Sequence, residues 1–114
     1  MKTPDYLDQA KLVLNLESDY SLAPRLGITR SYMSKLRLGK NALSDELAVS
    51  IAQIIGVPAA IVLADAHIER EQNPSVKAAY VAMAEMLKAG VKAGIKAGFN
   101  ALVEMTVAGK LARV

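Results

Sequence analysis

Through residues 1–73 the apolar positions recur at three- and four-residue spacing, and no stretch of any length alternates in the manner of a strand. Leu7, Ala10, Lys11 and Leu14 predict a first amphipathic helix over residues 5–15, with Thr3 or Pro4 at its start. Residues 15–17 read as a short connection. Ser18 can cap a second helix, with Asp19 in the first turn, where the helix dipole favours an acid. Leu22, Ala23 and Leu26 form its inner stripe, and Gly27 ends it. Pro24 falls inside this helix, where it removes a backbone donor, and predicts a helix that starts late, bends or is short. Thr29 caps a third helix over residues 30–38, with Met33 and Leu36 inward and Gly39 closing it. Ser44, followed by Asp45 and Glu46, caps a fourth, whose stripe is Leu47, Ile51, Ile54 and Ile55 and whose stop is Gly56. Pro58 suits the first turn of a fifth helix. Ile61, Val62 and Leu63 help bury it, and it is expected to run to about Glu71, before the breaker Asn73-Pro74.

Beyond Pro74 the texture changes. Residues 75–109 are rich in Ala and Gly, and Lys88–Phe99 repeats KAGV, KAGI, KAGF. This predicts a long helix, with a break at one of its glycines as the alternative. Gly90, Gly94 and Gly98 form a ridge of small residues that lets two helix backbones approach closely. Each glycine in a helix costs about 1 kcal/mol against Ala in water, so three in register imply close packing with something. A second copy is the first expectation, and Val91 and Leu102, on the opposite surface of the helix, are assigned with the glycines to the oligomerisation segment. Packing onto the rest of the chain, a different protein, or a membrane surface are the alternatives. The apolar run Ala97–Ala108 contains Glu104 and is too short to cross a bilayer of ~30 Å.

Composition narrows the class. Hydrophobic residues are 53% of the chain but aromatics only 4%, so the core must be aliphatic, which favours packed helices over a sandwich. The absence of Cys removes disulfides and thiolate metal sites. Asp5 and Asp8 interrupt the place where a secretory signal would carry its apolar stretch, and a cytoplasmic location is expected. Net charge is a modest +3, but Arg25, Arg30, Lys35, Arg37 and Lys40 lie between Pro24 and Lys40 with no acid among them. A local basic window of this kind suits a polyanion, and is also what an ordinary solvated helix face carries.

Residues 18–40, SDYSLAPRLGITRSYMSKLRLGK, meet the demands of a helix-turn-helix together. Ala23 is small where the second helix must cross closely. Gly27 tolerates the turn. Ile28, Met33 and Leu36 can lock the two helices, and polar residues stand at the outward positions of the second. The stretch is similar to the lambda-repressor-like, Cro/cI-type helix-turn-helix family of phage and bacterial regulators. The matching elements are Leu22-Ala23, Leu26-Gly27-Ile28, Thr29, Ser31, Met33, Ser34, Leu36 and Gly39-Lys40, and LSDELAVSIAQIIGVPAAIVL resembles that family's fourth and fifth helices. The resemblance covers roughly residues 5–70. It implies a five-helix fold and a dimer on a palindromic operator. The chain departs from the family at Pro24 and at Leu38, and Leu38 is expected to pack against another element, such as the C-terminal segment.

That reading distributes roles. The N-terminal half of a recognition helix enters the major groove. Arg30, Ser31, Tyr32, Ser34 and Lys35 are the candidate base contacts, with Arg30 and Lys35 able to donate to guanine O6 and N7. Ser18, Arg37, Lys40 and Asn41 are the candidate phosphate contacts. Catalysis is not expected: His67 is the only His, it has no Cys to join it, and the glycines do not form a phosphate-cradling loop after a strand. No metal or cofactor is expected. The chain therefore reads as all-α, with a DNA-binding domain over residues 1–72 and a helical extension over 73–114. The expected function is a dimeric repressor of transcription acting on double-stranded DNA. The alternative is a protein- or membrane-interaction module that keeps the helix-turn-helix as a scaffold.

Overall fold

Four of the six described helices begin at a side chain that caps their first turn. The computed structural model describes residues 1–91, which form six helices and no strand: α1 Thr3–Leu14, α2 Asp19–Leu26, α3 Arg30–Arg37, α4 Asp45–Ile55, α5 Ala59–Arg70 and α6 Pro74–Gly90. The Ser18, Thr29 and Ser44 hydroxyls accept from the backbone N–H groups of Ser21, Tyr32 and Leu47, three residues on in each case. Asn73 does the same for Ser75 and Val76 at the head of α6, with Pro74 in the first turn. Asn15 ends α1 in the left-handed conformation at φ 56°, a backbone state that Asn tolerates better than most side chains. Pro58 caps α5 from just outside it, one position earlier than the spacing predicted.

Pro24 does not break α2. Its missing N–H would have paired with the Tyr20 carbonyl in the first turn, where Pro24 and Tyr20 are both exposed to water. The Pro24 carbonyl in turn accepts from Gly27 N–H at 3.2 Å, so the helix closes normally.

One aliphatic core joins α1 to α5. Leu7, Leu22, Met33, Leu36, Leu43, Ile51 and Val62 are fully buried in it, and Tyr32, Leu26 and Ile28 pack against its edge. The start of α1 is tied to α5 by polar contacts. Buried Thr3 donates its hydroxyl to Glu69 at 2.9 Å and accepts from Leu43 N–H at 3.2 Å, which anchors the segment between α3 and α4. Tyr6 donates to the buried carboxylate of Asp65. Burial and that carboxylate push the Tyr6 phenol well above its ordinary range.

Helix α6 packs on α5. Lys88 donates to Asp65 at 3.2 Å, Tyr80 stacks on His67 with ring centroids 5.0 Å apart, and Ala84 is the one residue of α6 that is buried. No helix among the described residues is long and apolar enough to cross a membrane. The glycine ridge expected to mediate oligomerisation falls mostly outside the described residues: Gly94, Gly98 and Leu102 lie beyond them. Gly90 and Val91 stand half-buried at the end of α6.

Candidate nucleic-acid interface

Helices α2 and α3 are joined by Gly27, Ile28 and Thr29 alone. Gly27 takes φ 69°, which an L side chain would resist, and Ile28 N–H bonds back to the Ala23 carbonyl at 3.0 Å. Ala23 is 1% exposed. It lies in the core, at the position where the crossing of two helices predicted a small residue.

Met33 and Leu36 fix which face of α3 points inward. The opposite face then carries Ser31, Ser34, Lys35 and Leu38, spaced i, i+3, i+4 and i+7, and all four are exposed. Arg30 is exposed at the edge of this face nearest α2, and its guanidinium lies over the Tyr20 ring, 5.2 Å from the centroid. Arg30 and Lys35 take part in no ion pair among the described residues. The structure thus brings together Arg30, Ser31, Ser34 and Lys35 of the predicted base-contacting set. Tyr32 is on the other flank. It is half-buried against the core and lines a cleft of about 420 Å³ with Lys40, Asn41 and Arg70. Lys40 is exposed and Asn41 half-buried just past the end of α3.

Two of the expected phosphate contacts are used differently. Arg37 does not extend to solvent. It grips Asp19 with two hydrogen bonds, Nε at 2.8 Å and an Nη at 2.7 Å, and reaches Asp8 at 2.9 Å. Lys11 lies 3.1 Å from Asp19 and 3.6 Å from Asp8, so two acids and two bases from α1, α2 and α3 form one neutral cluster. The Arg37 hydrogen bonds hold the Asp19 and Asp8 carboxyls below their ordinary range, and Asp19 holds the Arg37 guanidinium firmly charged. Arg37 therefore braces α3 against α1 and α2, with its charge already matched. Ser18 spends its hydroxyl on capping α2 and on a 2.6 Å hydrogen bond to the Ser21 hydroxyl.

Leu38 is 66% exposed, because the helical spacing puts it on the outward face of α3 with Ser31 and Lys35, and the C-terminal segment named as its partner lies outside the described residues. Tyr20 was not among the predicted site residues, although it is 61% exposed beside Arg30. Its place in the first turn of the helix before the turn was the available signal. Ser18, Tyr20, Ser34 and Leu38 rim a groove of about 290 Å³ between α2 and α3, with Met33 among its lining.

No family model matches the chain, and no characterised protein or solved structure matches it either.

Proposed function

We propose that the chain is a sequence-specific double-stranded DNA-binding regulator of transcription, a cytoplasmic repressor of the lambda-repressor-like type. In this reading α2 and α3 are the helix-turn-helix and α3 is the recognition helix. The carrying observation is the outward face of α3: Arg30, Ser31, Ser34 and Lys35 exposed together, on a helix with no acid, held by two buried anchors and the Arg37 brace. Arg30 and Lys35 donate to base edges in the major groove, and Lys40 and Asn41 to the phosphates flanking it. A dimer sets two such helices about one DNA turn apart and blocks a promoter. The chemistry is recognition without catalysis.

The test is binding of the full chain to its own upstream DNA and to random duplex at two salt concentrations. Tighter binding to the upstream DNA is expected, weakening steeply with salt as phosphate counterions return. Arg30→Ala with Lys35→Ala should abolish the discrimination while leaving the helical content intact. Equal binding to random and upstream DNA by the unaltered chain would overturn the reading.

One observation favours the alternative of an interaction module. The outward surface of α6 carries Ala78, Ala79, Ala82, Met83, Met86 and Ala89, all exposed, with Met86 at 75%. Such a surface suits a helix of another chain. Binding through it would weaken little with salt, which separates the two readings.

A further inference from the structure

The Arg30 side chain is long, flexible and exposed, and an unrestrained arginine of this kind loses rotamer freedom whenever it settles on one ligand atom pair. Here it is not unrestrained. Tyr20, in the first turn of α2, offers its ring to the Arg30 guanidinium at 5.2 Å, bridging the first turns of the two helices. The five donors of a guanidinium lie in its plane, so a guanidinium that settles flat on an aromatic ring keeps its in-plane N–H groups available. Tyr20 itself is steadied from behind. Its neighbour Asp19 is gripped by Arg37 and Lys11, and Ser18 caps the helix on which both stand.

We infer that Tyr20 is a specificity-determining residue: its ring holds the Arg30 guanidinium edge-on for bidentate donation to a guanine, so that one operator position is read by the pair and not by Arg30 alone. This rests on the DNA-binding reading of α3. Tyr20 touches no base in this arrangement and acts through Arg30, as a positioning residue. The phenol oxygen is not needed for it, because the ring supplies the contact.

The pairing makes a claim about the shape of a base-preference profile as well as its height. Full-length chain, Tyr20→Ala and Tyr20→Phe would each be titrated with a duplex set in which every position of the bound site is permuted. Tyr20 is 61% exposed, so neither substitution disturbs the core, and circular dichroism checks this. Tyr20→Ala is expected to lower the preference for guanine at one position by about two- to fivefold, the size of an exposed cation–π contact. The same position should be the one flattened by Arg30→Ala, and Tyr20→Phe should keep the preference. In the DNA-free protein, the Arg30 side-chain NMR signals should lose a ring-current shift in Tyr20→Ala and keep it in Tyr20→Phe.

A Tyr20→Ala profile that keeps its shape would overturn the inference while leaving the DNA-binding reading standing. So would a uniform loss of affinity shared by Tyr20→Ala and Tyr20→Phe, which would make the phenol oxygen a phosphate contact. If the unaltered chain discriminates between no duplexes, the DNA-binding reading fails and the inference falls with it. The NMR shift then shows separately whether the Tyr20–Arg30 contact exists.

Discussion

Helix α3 has eight residues and places two of them, Met33 and Leu36, fully in the core; α6 has seventeen and buries Ala84 alone. The short helix is also braced from two directions, by the Arg37 cluster toward α1 and α2 and by Tyr32 against the core edge. Among the described residues the long one lies chiefly against α5, with an ion pair, an aromatic stack and buried Ala84 in the seam. Length and depth of anchoring are thus separate properties here. A surface that must present side chains in fixed positions gains more from two deep anchors than from extra turns, because position is set by close packing. The outward face of α3 is largely polar and stands on a helix anchored in the core, whereas that of α6 is apolar and stands on a helix packed along α5 at the edge of the core.

Substitutions at matched sites can sharpen or break that contrast. The largest effect is expected from Leu36→Ala, which empties a fully buried site: a loss of about 2–5 kcal/mol, read by urea unfolding. A loss below about 1 kcal/mol would mean that α3 is not anchored as described. Next comes Arg37→Met, which removes the brace but keeps much of the stem. The partners are about a quarter exposed, 29% and 23%, so screening trims the effect to about 1–2 kcal/mol. This difference carries a pH signature. The Asp19 carboxyl is lowered in the folded chain, so its stabilisation is present above the unfolded value of about 3.9 and is lost as pH falls through the folded value. The gap between the unaltered chain and Arg37→Met should accordingly be full near neutrality and shrink below about pH 4. A gap independent of pH would assign the effect to packing of the arginine stem. The smallest effect is expected at Met86→Gln, on the exposed face of α6, within about 0.5 kcal/mol by the same unfolding assay. A loss there as large as at Leu36 would show that something covers α6 in solution and would erase the contrast between the two helices.

Much of this molecule is legible residue by residue. The caps Ser18, Thr29 and Ser44 and the stop at Gly27 act within three or four positions of themselves, so their chemistry is complete in the local sequence. The inward pair Met33 and Leu36 follows from helical spacing alone, and so does the exposure of Ser31, Ser34 and Lys35 opposite them. Arg37 could not be read this way. Its partners Asp19 and Asp8 stand on other helices, eighteen residues away in the case of Asp19, and nothing in the spacing of α3 distinguishes an arginine matched by two acids from one reaching into solvent. The apolar character of Leu38 suggested a covering element, and the rotation of α3, fixed by its two anchors, turns it outward, 66% exposed.

By itself, the sequence determined the all-α class of the described residues, the helix ends and the polar outward face of α3, because those depend on backbone valence and a 3.6-residue period. Only the tertiary structure decided which charges are spent within the protein, which arginine rests on an aromatic ring, and that α6 lies on α5 with Ala84 inward and its other alanines and its methionines facing out. Those outcomes depend on which side chains meet across helices, and a meeting across helices is set by how the core packs and not by how far apart the residues stand in the chain.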